Sequence, residues 1–135
     1  MKDRHWKAIS DESGIEVYPD EDFTLQKLID KGFVAHVAIC DEVGEKAQKE
    51  HHIEKSLAKM KKEWESLVFL LPRFKNTSTC TIAGFDDAIG ILDEHIVTAQ
   101  AMQFSPFKKP FEAEIEEWCS LLMVVSDTLE EWIKC

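Results

Sequence analysis

The fold class predicted for this sequence is mainly α: an antiparallel helical bundle with a two-stranded β-hairpin inserted between long helices. Three observations predict it. Apolar residues recur at alternating four- and three-residue intervals through residues 34–67, 85–104 and 110–135, the period of a helix with one buried stripe. Short polar connections join these stretches, and helices so connected pack as antiparallel neighbours crossing near 20°. Between the first and second of them, residues 68–83 lose the helical period and alternate instead. At 135 residues the chain reads as a single domain, long enough to bury a core.

The first 33 residues supply two short helices. In "DRHWKAISDESG", Trp6 and Ile9 face inward and Gly14 is the stop; "YPDEDF" is a turn. In "TLQKLIDKG", Thr24 is placed to cap the helix and Gly32 to end it. The long helix 34–67 carries its seam on Ile39, Val43, Ile53, Leu57, Met60, Trp64 and Leu67. That register passes through Lys46 and Glu50, which predicts an interrupted seam, with a bend helped by Gly44 or a turn lying beyond its neighbours. The stretch "LVFLLPRFKNTSTCTIAG" is β-branched and aromatic, turns at "KNTS", and holds Pro72, which confines a strand to an edge. A hairpin alone is marginal, so it is expected to lie on the helices. The period returns at Phe85, Ile89, Leu92, Ile96 and Ala99. After "SPFKKPFE", where Pro110 suits a first helical turn, it runs through Phe111, Ile115, Trp118, Leu122, Val125, Leu129 and Trp132 without a miss. The repeat reaches Cys135 with no glycine or proline stop, so this helix is expected to continue past the end of the sequence.

Composition narrows the function. A formal net charge of −10 opposes nucleic acid or anionic lipid as the main partner. No uncharged run approaches the roughly 18 residues of a membrane helix. Cys40, Cys80, Cys119 and Cys135 show no paired spacing and read as reduced thiols of a cytosolic compartment. His36 and Cys40 stand at i and i+4, yet zinc takes about four ligands and no further two are evident. His51 and His52 diverge by about 100° on a helix and read as solvated. Cys80 and Cys119 have no base beside them in sequence and read as small hydrophobes. The pairs Asp86–Asp87, Glu116–Glu117 and Glu130–Glu131 diverge likewise and form a charged outer face. Lys55, Lys59, Lys61 and Lys62 are a basic cluster, read as a solvated face ahead of a docking surface. The five glycines build no phosphate-cradling loop. No catalytic, cofactor or metal residue is assigned. The residues assigned to the structural core are Trp6, Val43, Leu57, Met60, Trp64, Ile89, Leu92, Ile96, Phe111, Ile115, Trp118, Leu122, Val125, Leu129 and Trp132.

Three stretches resemble one family. "DRHWKAI", "GEKAQKEHHIEKSLAKMKKEW" and "ILDEHIVTAQAMQFSPFKKPFEAEIEEWCSLL…TLEEWIKC" are similar, in this order and over essentially the whole chain, to the N-terminal part of the linker region of dynein heavy chains. "QFSPFKKPFE" is closer to axonemal, inner-arm heavy chains than to the cytoplasmic motor. Glu94 stands where the family commonly has Asp, and His51–His52 replace an aromatic-containing pair. The resemblance implies a mechanical segment, a lever lying across a ring of AAA+ modules and moving the tail as the nucleotide state changes. The implied partners are the ring and tail of the same heavy chain, with other dynein subunits and microtubules reached through the parent. Cytoplasm, cytoskeleton and the cilium axoneme are the implied locations. The family's ATP and Mg sites lie elsewhere in the heavy chain, so no catalytic residue carries over and this segment is not itself an enzyme. A passive scaffold or spectrin-like module is the competing reading; such a module would show a fixed internal repeat, and none is found.

Overall fold

A computed structural model describes residues 1–134, and the expected helical end at Cys135 lies outside them. Five α-helices follow one another: α1 (Asp3–Ser13), α2 (Leu25–Asp30), α3 (Val37–Glu65), α4 (Asp86–Gln103) and α5 (Glu112–Lys134). Short 3-10 turns at Phe33–His36 and Lys109–Phe111 lead into α3 and α5. The chain divides into two compact units, Met1–His52 and the part from Ile53 onward, with α3 contributing to both.

In the first unit, α1 stops where the sequence places a glycine. Gly14 takes φ 69°, a left-handed conformation that costs other residues more, and its N–H bonds back to Ser10 O at 3.0 Å. Thr24 Oγ1 accepts from the Lys27 N–H at 3.3 Å and starts α2. Ile9, Val17, Phe33 and Val43 form the buried core of this unit. Trp6 is half-buried and meets Phe23 edge-on, with ring centroids 5.6 Å apart.

In the second unit, one apolar core joins the second half of α3 to α4 and α5. Ile53, Leu57 and Met60 come from α3, Leu92, Ala99 and Met102 from α4, and Ile115, Trp118, Leu122 and Leu129 from α5. Phe111 closes the loop end of that core. Leu57, Ile115 and Leu122 are all but inaccessible to solvent. Burying each contributes about 1.5–3 kcal/mol, before the entropy of ordering it.

The expected β-hairpin at 68–83 is not formed: among the described residues there is no strand. The segment makes only two isolated antiparallel bridges, Leu70 with Ala83 and Arg73 with Cys80. Three backbone bonds run across it, Ala83 N–H to Leu70 O, Thr81 N–H to Pro72 O and Phe74 N–H to Thr79 O, each 2.9 Å. Pro72 has no N–H to return the bond from Thr81, so the ladder is half made. Lys75 turns the chain with φ 52°. Residues 70–81 are all exposed, so the alternation buries neither face, and β-branched side chains without a buried face do not stabilise a strand.

α3 runs as one helix through Gly44 and the polar stretch after it. One further expectation is corrected: Trp132, expected in the core, is 44% exposed. Trp6, Trp64, Ile89, Ile96 and Val125 are half-buried.

Candidate functional site

Among the described residues the buried titratable side chains are His5 and Glu50 in the first unit and His95 in the second. His5 lies on α1 and is buried. The Lys2 backbone N–H donates to His5 Nδ1 at 2.9 Å, so the neutral ring carries its proton on Nε2 and donates it to Glu50 Oε2 at 2.9 Å. Arg4, the preceding residue, donates Nε–H to the same oxygen at 2.9 Å and ion-pairs with it through its terminal nitrogen. Glu50 is 2% exposed. Burial pushes its carboxyl up, but the hydrogen bonds from Arg4 and His5 and the charge of Arg4 outweigh that and hold it below its ordinary value. The interrupted seam of α3 is thereby explained. Lys46 is exposed, Ala47 takes the inward position, and Glu50 is buried as a neutralised charge instead of an apolar residue.

The second unit repeats the device with different parts. His95 on α4 is buried; Trp64 donates its indole N–H to His95 Nδ1 at 2.9 Å, and His95 Nε2 meets Glu63 Oε2 at 2.9 Å. The His95 hydrogen bond, opposed by some desolvation and aided by Lys59, lowers the Glu63 carboxyl below its ordinary value. Sequence reasoning missed both clusters. The available signals were Glu50 on the α3 seam and His95 at a spacing of three from Leu92 and four from Ala99.

These clusters hold structure and are not built for turnover. Both ring nitrogens of each histidine are engaged, and both rings are closed to solvent, so neither offers a free base to a substrate. Their effect on stability has a sign. A carboxylate lowered in the folded state stabilises the fold above its unfolded value, about 4.3, and that contribution disappears as pH falls through the folded value. Unfolding free energy is therefore expected to be level from neutral pH to about 5 and to drop below about 4.5, steeply in the wild type and less in Glu50→Gln. Urea titrations at a series of pH values measure it.

The residues nominated from sequence are dispersed. His36 sits in the 3-10 turn, tilted against Phe33 at 6.3 Å between ring centroids, while Cys40 is half-buried on α3. Among the described residues no three His, Cys, Asp or Glu side chains converge to hold a metal ion. Burial, then the charge of Asp41, raises the Cys40 thiol; burial, then Glu116, raises Cys119, so both stay protonated at neutral pH. Cys80 is exposed in the loop. His51 and His52 are exposed, as are Asp86, Asp87, Glu116, Glu117, Glu130 and Glu131. The lysine cluster is partly engaged within the chain: Lys59 pairs with Glu63 at 3.6 Å, and Lys61 with Glu114 at 2.6 Å. Lys61 also stands 5.9 Å from the centre of the Trp118 ring, whose buried Nε1 has no hydrogen-bond partner. No helix among the described residues is long and apolar enough to cross a membrane.

Comparison with known proteins gives one consistent result. The family model described as dynein heavy chain, N-terminal region 2, matches residues 1–135. Dynein axonemal heavy chain 1 of Mus musculus is 40% identical over 135 residues, all of this chain and 3% of the relative. Dynein axonemal heavy chain 3 of Homo sapiens is 38% identical over the same 135 residues, again 3% of its length. Dynein axonemal heavy chain 12 of Homo sapiens is 34% identical over 134 residues, 4% of its length. The chain thus spans only a few per cent of the curated relatives it matches.

Proposed function

This chain belongs to the dynein heavy chain family, N-terminal region 2, and from that premise we propose that it is a lever segment of an axonemal motor. It transmits the nucleotide-driven shape change of an AAA+ ring to the tail, for movement along microtubules in a cilium or flagellum. ATP and Mg act in other parts of the parent, and this segment does no chemistry of its own. The ring and tail of the same heavy chain are its direct partners.

The observation that carries this reading is the state of the interior. Within each unit the buried polar side chains are hydrogen-bonded, and among the described residues only the Trp118 indole N–H is buried without a partner. A filled core with satisfied polar groups deforms little under load, because protein interiors pack as densely as organic crystals. A heavy chain lacking this segment should retain basal ATP turnover and lose microtubule gliding. Loss of both together, in a protein that still assembles its ring, would count against the lever and for a role in nucleotide turnover.

A further inference from the structure

Where α3 ends and α4 begins, the second unit has a cavity of about 240 Å³. That is below the roughly 300–1,000 Å³ of a small-molecule pocket and suits a single side chain. Leu67, Val68, Phe69 and Ile91 supply apolar wall, and Glu63 and Asp87 supply carboxylates. The first carboxylate is oriented from behind: Trp64 fixes the His95 tautomer, and His95 holds Glu63 Oε2, leaving Oε1 with only a loose pair to Lys59 at 3.6 Å. Glu63 is held ionised by these contacts. Asp87 lies exposed on the first turn of α4.

The segment bordering this cavity also leaves large apolar side chains in solvent. Val68 is 78% and Leu70 63% exposed, with Leu71 exposed beside them in sequence, whereas the Phe74 ring is capped by the chain's own Lys75 Nζ at 5.1 Å. An apolar wall ending in two carboxylates, next to uncovered apolar residues, complements one kind of group. Its occupant has an aliphatic stem and a cationic head, flanked by apolar neighbours. We propose that this cavity receives an arginine or lysine side chain from a basic partner segment that lies along residues 68–71. The chain's formal net charge of −10 would steer such a partner toward it. The site is independent of the lever reading, since it rests on the cavity and the exposed apolar residues beside it.

The test is a nuclear magnetic resonance titration of the whole isotope-labelled chain with the acetylated, amidated tripeptide Leu-Arg-Leu. The matching peptide with citrulline, which keeps the shape of arginine without its charge, is the control. Saturable shifts are expected at the Trp64 indole N–H, Gly84 and Asp87, with the citrulline peptide binding about tenfold more weakly. Asp87→Asn should weaken the arginine peptide by about threefold to fivefold, as loss of one exposed ion pair does. Glu63→Gln provides a second arm, because glutamine can still accept the His95 bond. Equal binding of the two peptides, shifts centred elsewhere, no saturable shift, or indifference to both substitutions would overturn the proposal.

Discussion

Removing Arg4 and His5 together, as Arg4→Ala with His5→Ala, is expected to destabilise the Met1–His52 unit by about 3 kcal/mol. Breaking a buried ion pair by deleting one side typically costs about 3–5 kcal/mol, because the remaining charge stays buried without compensation. The lower end applies here, since the Arg4 side chain is 39% exposed and part of its attraction is screened by water. The further change Glu50→Leu should recover at least half of the loss, since it removes the stranded charge and restores an apolar seam on α3. The pH response should also change. With its donors gone, Glu50 keeps only the burial that raises its pKa, so acidification from pH 7 to pH 5 should stabilise the double variant while the wild type stays level. Urea unfolding at pH 7 and pH 5, followed by hydrogen exchange of α1, measures both effects. Equal stability of the double variant and the wild type would show that the clamp contributes nothing.

Trp118→Ala is expected to cost about 3–5 kcal/mol and to lower the melting temperature by roughly 10–20 °C. The ring is buried among Leu57, Met60, Ile115 and Leu122 residues of one continuous core, and its removal leaves a large cavity between helices. Trp118→Phe separates two contributions. It keeps an aromatic ring at the site and deletes a buried N–H that has no partner, so it should cost less than half as much as the alanine change. A phenylalanine variant as unstable as the alanine variant would mean that the indole N–H is bonded after all.

The helical character of this chain was legible because a 4-3 spacing of Leu, Ile, Phe and Trp has only one economical backbone, a helix with a buried stripe. The stretch 68–83 misled because alternation signals a strand only where one face is buried. Here Thr79, Cys80 and Thr81 face water on both sides, and Pro72 withholds a ladder donor. The two histidine clusters were illegible for a different reason. His5 and Glu50 are 45 residues apart, and Trp64 and His95 are 31 apart, so no local pattern joins them. The nearest signal was a glutamate on an apolar seam. Such a residue is either an interruption or a buried charge, and only the position of Arg4 and His5 decides which. Trp132 shows the converse limit. It continues the spacing of α5 through the last turn, yet it lines an open cleft with Cys80, Ile82 and Phe85 and is left half in solvent.

The central claim is that this segment carries force and performs no chemistry, and the ratio of gliding velocity to basal ATPase in the parent motor tests it most directly. Leu122→Ala is the substitution to use. Leu122 is 1% exposed at the heart of the second unit, and the change typically costs about 2–5 kcal/mol, enough to soften a bundle whose whole stability is of the order of 5–15 kcal/mol. Velocity is predicted to fall severalfold while basal ATPase stays near that of the wild type, so the ratio drops. Proportional loss of both, or an unchanged ratio in a motor whose core has been softened, would contradict the lever.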